Sequence, residues 1–243
     1  MIAFAVSCVV AGSCWAADRK LNIVTEEWAP YNYSENGALK GFSVEIVQAI
    51  AQLLNADIDI QLMPSMRAKA SLENNQRTML VTMLRTPERD TKYKWIGPLG
   101  DSSIYFYKRK GNPLEVSTLE DTKKVRSICS RQGGLTTSKL REAGFTNLEA
   151  SASDGNAVYR MLIFGRCDLA VSDSPLGVIH LLKQMNYPLD AVVQTPVKLI
   201  AAPIYIACSK DISDAEIARW QMALDKLKTS VAFQAILKRY GGE

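Results

Sequence analysis

Apolar residues along this chain alternate between a two-residue and a three-to-four-residue spacing, and the whole pattern runs twice. Residues 21–25 read as a strand, and the segment GFSVEIVQAIAQLL that follows from Gly41 places Phe42, Ile46, Val47, Ile50, Leu53 and Leu54 at helical spacing. Residues 57–63 alternate Ile58, Ile60 and Leu62 as a half-buried strand does. A short helix over 65–72 then leads to the apolar run TMLVTM, which Thr82 closes. This β-α-β-α-β order predicts a mostly parallel sheet with helices on its faces. After a strand-like stretch at 103–107 and a polar loop, the pattern restarts. It gives a strand at 125–130, a helix at 135–143, a short strand at 147–150, a helix at 154–164, and a strand at 168–171 that ends near Asp173. Each unit spans about 90 residues, near the lower size for a domain with its own core. Beyond Pro203 the strand IYIACS leads to two closing helices, 213–227 and 230–240, the first opened by the capping box Ser213-x-x-Glu216.

The first unit ends in chemistry suited to a small anion. Thr82 supplies a hydroxyl at a strand end, and the next turn offers Arg85 and Arg89 beside a helical turn started by Thr86 and Pro87. Thr is a good cap and Pro suits the first helical position. Helix N-termini favour negative charge, and a guanidinium binds a carboxylate through two parallel hydrogen bonds. On spacing alone, both arginines read equally well as solvated surface charges.

The composition narrows the classes. Of the 243 residues, 47% are hydrophobic and 22% charged, as in ordinary globular proteins, and the net charge of +4 neither demands nor excludes an acidic partner. The YKRKG cluster at 107–111 is too short for a nucleic-acid footprint, so no nucleic-acid partner is expected. Residues 1–17 carry no charged side chain and pass from an apolar run to small residues, as a secretory signal peptide does. A lipoprotein acylated at Cys14 is the rival reading, but AGSC lacks the usual aliphatic residue three positions before the cysteine. Cleavage leaves Cys129, Cys167 and Cys208, an odd set in which Cys129 and Cys167, on or beside neighbouring strands, are the candidate disulfide. The single histidine, His180, sits in an apolar stretch, so nucleophilic triads and His-rich metal sites lack the residues they need. No metal or cofactor is expected.

Five segments in order resemble the periplasmic solute-binding proteins of ABC importers, specifically the family 3 group that binds amino acids. They are WAPYNY at 28–33, GFSVEIVQAIAQLL, TPER at 86–89, WIGPL at 95–99 and GRCDLAVSD at 165–173. The resemblance covers essentially the whole mature chain. It implies an α/β fold of type II: two lobes, each a mostly parallel sheet flanked by helices, joined by two crossing strands at 103–107 and 204–209. Residues 1–17 are then the signal peptide, 18–105 with 206–243 the first lobe, and 106–205 the second.

The resemblance also implies a ligand site. Trp28 covers the ligand, or else packs in the core. Thr82 and Arg89 hold an α-carboxylate, Gly133 and Gly134 offer N–H groups to it from the second lobe, and Asp173 takes the α-ammonium. Leu84, Leu135 and Arg85 depart from the family pattern. Arg85, with Arg67, either serves a second acidic group or lies on the surface, and surface is the preferred reading for Arg67.

Two functions follow. The leading one is a monomeric, non-catalytic periplasmic protein that captures an amino acid or related carboxylate by lobe closure and delivers it to a membrane ABC permease. The alternative is a secreted enzyme on the same scaffold, such as a dehydratase, with Glu26 or Glu27 as general acid. A sensor domain is disfavoured because the chain ends at Glu243 without an output segment.

Overall fold

The computed structural model describes residues 20–240, so the signal-peptide reading, with Cys8 and Cys14, lies outside the described residues. In chain order the elements are β1 (Asn22–Thr25), β2 (Tyr33–Glu35), β3 (Ala38–Lys40), α1 (Phe42–Leu54), β4 (Ile60–Leu62), α2 (Ser65–Asn74), β5 (Thr78–Leu84) and α3 (Pro87–Asp90). There follow β6 (Lys94–Arg109), α4 (Leu119–Lys123), β7 (Ile128–Arg131), α5 (Leu135–Glu142), β8 (Leu148–Ala152), α6 (Gly155–Ile163) and β9 (Leu169–Ala170). The last four are α7 (Pro175–Gln184), β10 (Val192–Cys208), α8 (Asp214–Lys228) and α9 (Val231–Tyr240).

Eight of the strands form one sheet in the order β4-β1-β5-β10-β6-β9-β7-β8. Its two ends repeat one arrangement. In the first half β1 lies between β4 and β5, parallel to both; in the second half β7 lies between β8 and β9, again parallel to both. The crossover helices of each β-α-β step cover the faces, as a parallel sheet requires. Strand β5 is buried along its whole length, which matches its apolar sequence and central place.

The antiparallel pair β6 and β10 joins the halves. At one end β10 pairs with β5, and at the other β6 pairs with β9. These crossings are much longer than the sequence suggested. Their pairing shifts register between Ile204 and Ile206 opposite the segment holding Gly97 and Pro98, the position at which a proline is tolerated inside a sheet. The closing helices α8 and α9 return to pack on α1 of the first half.

Local chemistry explains several boundaries. Ser213 accepts the Glu216 N–H to open α8, Asp154 accepts the Ala157 N–H to open α6, and Ser174 does the same for α7 through Gly177. Thr86 differs from expectation: it stands at the cap position of α3, with Pro87 first in the helix, but its hydroxyl makes no capping bond. Cys129 on β7 and Cys167 just before β9 are joined by a disulfide with their Cα atoms 5.7 Å apart, and Cys208 is buried as a free thiol.

Candidate functional site

Four charged side chains from the two halves act on one another electrostatically: Glu26 and Arg89 from the first, Arg131 and Asp173 from the second. Glu26 follows β1 directly and is partly buried. Burial pushes its pKa up, while Ser65 at the start of α2 and the charges of Arg131 and Arg89 pull it back. Arg89 sits in α3 and donates from Nη1 to the Leu84 carbonyl at 3.1 Å. Burial lowers its pKa, against the pull of Tyr93 and Glu26. No carboxylate among the described residues lies within ion-pairing distance of it, so most of its five N–H donors have no protein acceptor.

Arg131, the last residue of β7, is clamped from one side. Its Nε donates to Ser172 Oγ at 2.9 Å and its Nη2 to Asp173 Oδ1 at 2.9 Å. Burial works against its charge, but Asp173 and Glu26 outweigh that and hold its pKa above the usual value. Asp173 is 2% exposed, and its second oxygen, Oδ2, is shut from solvent without a partner. Glycine at 155 is what allows the pair to fit, since a Cβ there would lie 2.8 Å from Asp173 Oδ2 and 3.2 Å from Arg131 Nη2.

Thr82 occupies a strained backbone position. Between the pairs Tyr205↔Met83 and Ala207↔Leu80, β5 spends one more residue than β10, and Thr82 lies in that bulge with φ of 67°. A β-branched residue with positive φ is an outlier, and bulges of this kind re-aim side chains beside sites. The Thr82 hydroxyl is buried and has no partner. Gly133 and Gly134 form the turn into α5, whose N-terminus carries no side-chain cap. Gly134 has a φ of 96°, and a Cβ on either glycine would meet open space. Trp28 is partly exposed and stacks edge-on against Tyr31, with ring centroids 5.0 Å apart.

The structure gives two of the sequence-derived residues different partners. Arg85 does not join the cluster. Its Nε donates to Asp90 at 2.6 Å, and its guanidinium lies 5.1 Å from the Tyr205 ring and 5.5 Å from the Trp95 ring, an acid-and-aromatic box on the first half. Asp173 faces Arg131 rather than open cleft. Arg131 was itself missed by sequence reasoning, as was Lys139, whose ammonium on α5 lies 2.7 Å from Glu88 on α3. Glu27, the other candidate acid, is exposed and accepts the Ser34 N–H.

Further contacts cross the cleft. The Tyr31 hydroxyl lies 3.3 Å from Ser174 Oγ, the Tyr33 and His180 rings are 4.6 Å apart, and a Cβ on Gly177 would come within 2.9 Å of the Ala29 carbonyl.

Two parallel half-sheets bridged by a long antiparallel pair, with charged groups from both halves meeting in the cleft, define the two-lobed periplasmic-binding-protein class. A family model described as bacterial extracellular solute-binding proteins, family 3, matches residues 21–243, and the chain belongs to that family. It is 22% identical over 229 residues to the probable amino-acid-binding protein YxeM of Bacillus subtilis strain 168, a match covering 88% of this chain and 80% of that protein. Among solved structures, a histidine kinase sensor domain with similarity to periplasmic binding proteins aligns with a TM-score of 0.79 at 23% identity, covering 92% of this chain and 97% of that one. An ancestral arginine-binding protein bound to glutamine aligns with a TM-score of 0.77 at 22% identity, covering 93% and 99%. At these identities the structures speak for the fold alone.

Proposed function

We propose that this protein is an extracytoplasmic, non-catalytic binding protein that captures an amino acid or related small carboxylate between its lobes and hands it to an ABC permease. It acts as a periplasmic monomer after removal of residues 1–17. Residues 18–105 with 206–243 form one lobe and 106–205 the other, the divisions falling within the bridging strands β6 and β10. The observation that carries the reading is a donor set in the cleft that the protein leaves largely unused: the Arg89 guanidinium, bonded only from Nη1 to the Leu84 carbonyl, and the buried, unpaired Thr82 hydroxyl. Buried polar groups are normally paired, so this set calls for an acceptor from outside the chain. Trp28 covers that acceptor, and the turn at Gly133 and Gly134 adds N–H groups from the other lobe.

Closure follows from the division of groups between lobes. Only the closed form lets a ligand touch both sets, and a ligand shifts an equilibrium by its differential affinity for the two forms. An enzyme is the weaker reading. Burial raises the pKa of Glu26 as a general acid requires, but the charges acting on it are two guanidiniums and an aspartate already paired with one of them, so none of these is a free base.

A thermal-shift screen of the protein against amino acids, dicarboxylates and amines tests this directly, because a ligand bound only by the native state raises its melting temperature. At least one carboxylate is expected to raise it, and the Arg89→Ala variant is expected to lose that shift. A panel without any shift would contradict the reading, as would a ligand recovered chemically altered.

A further inference from the structure

The second lobe presents a cation to the cleft where the family resemblance implies an acid. Arg131 is fixed by Ser172 and Asp173 through bonds of 2.9 Å each, and these use only Nε and one N–H of Nη2. Its remaining donors have no protein acceptor among the described residues, and its side chain keeps 25% of its surface open. Asp173 holds Arg131 with one oxygen, and its other oxygen, Oδ2, is buried without a partner beside Gly155, where a Cβ would come within 2.8 Å of it.

We infer that Arg131 is a specificity-determining anion receptor, that Asp173 is its positioning residue, and that the ligand is a small acid carrying two carboxylates, as in a dicarboxylate or an acidic amino acid. The inference rests on the binding-protein reading above. Two guanidiniums, Arg89 and Arg131, face the cleft from opposite lobes with an excess of free donors over acceptors, and a carboxylate at each end of the ligand matches that excess. Planar forks of this kind suit bidentate carboxylate recognition. Among the described residues of the cluster, the acceptors left to serve an ammonium are Glu26, which both guanidiniums already attract, and the buried second oxygen of Asp173. That arrangement accommodates an acidic amino acid and disfavours a basic one.

Titration calorimetry of the full chain with glutarate, L-glutamate, L-glutamine and L-arginine, on wild type and three variants, tests the inference. The wild type is expected to bind glutarate or L-glutamate at least tenfold more tightly than L-glutamine or L-arginine. Removing one partner of a desolvated charge pair lowers affinity by roughly thirty- to several thousand-fold, which is the loss expected for Arg131→Gln with the acidic ligand. Because that change strands Asp173, the double variant R131Q/D173N, neutral on both sides, is measured beside it and is expected to show the same loss while melting cooperatively. Asp173→Asn alone keeps the Ser172 clamp. It is expected to lower acidic-ligand affinity by less than about tenfold and to leave the ranking of the four ligands unchanged. Preferred binding of L-glutamine or L-arginine, abolished by Asp173→Asn and indifferent to Arg131, would overturn the inference while leaving a binding protein. Absence of heat with every ligand in the panel would overturn the inference, and the thermal-shift screen would then decide the wider reading.

Discussion

The Lys139 ammonium on α5 lies 2.7 Å from the Glu88 carboxylate on α3, so an ion pair spans the cleft between the two halves. Lys139, with Thr86, pulls the Glu88 pKa down to about 2. A carboxylate with a depressed pKa contributes its attraction above its ordinary range and loses it as pH falls toward 2. Both groups are solvent-screened, so the pair adjusts closure rather than fixing the fold. Lys139→Ala is expected to speed ligand release without changing the melting temperature of the unliganded protein. Stopped-flow tryptophan fluorescence at low and high salt checks this, the difference between wild type and variant shrinking as salt rises.

Glu26 carries a cost at neutral pH that its replacement should relieve. Burial raises its pKa above 4.5, so the folded state holds the proton more tightly than the unfolded chain. Stability therefore falls as pH rises from about 4.5 through the folded pKa. Glu26→Gln is expected to melt at a higher temperature than wild type at pH near 7, with the gap closing below pH of about 4.5. Melting curves across that range read the effect, and a gap that widens toward acid would contradict it.

Gly155 holds the Arg131–Asp173 pair in place by having no side chain. A Cβ would sit 2.8 Å from both Asp173 Oδ2 and Leu181 Cδ1, so Gly155→Ala must push the pair or the helix aside. Overpacking of this kind costs about 1 to 3 kcal/mol. Urea titration is expected to show that loss, together with weaker ligand binding, whereas Gly133→Ala, where a Cβ meets open space, should cost far less stability.

The disulfide between Cys129 and Cys167 closes a loop across a sequence separation of 38 and ties β7, which ends at Arg131, to the residues entering β9, beyond which the chain runs on to Asp173. Loss of such a bond typically costs about 2 to 5 kcal/mol. Reduction is expected to lower the melting temperature and to raise the number of thiols titrated in denaturant by two, one per cysteine of the bond, with Cys208 titrating before and after.

Much of this architecture was legible in the sequence because apolar periodicity is local. The helix from Phe42 and the β-α-β-α-β order of both units follow from spacing alone. The bridging strands were cut short, at 103–107 and 204–209, because Gly97, Pro98 and Pro203 interrupt a pattern that pairing between β6 and β10 restores. Thr82 was readable as a hydroxyl at a strand end, but its bulge depends on the register against β10. Arg131 was invisible as a site residue for a related reason: its partner Asp173 is 42 positions away, and nothing beside it in the sequence marks the pairing. Arg85 misled because adjacency to the TPER segment said nothing of Asp90, Trp95 and Tyr205, which take its guanidinium up.

Small-angle scattering of the wild type and of Arg89→Ala, each with and without the carboxylate that shifts the wild type's melting temperature, tests lobe closure on a cleft-bound anion most directly. The wild type should contract on ligand addition, and the Arg89→Ala variant, lacking the first lobe's grip, should keep one radius of gyration in both conditions. An equal contraction in the variant, or none in the wild type at saturating ligand, would contradict a clamp closed by this site.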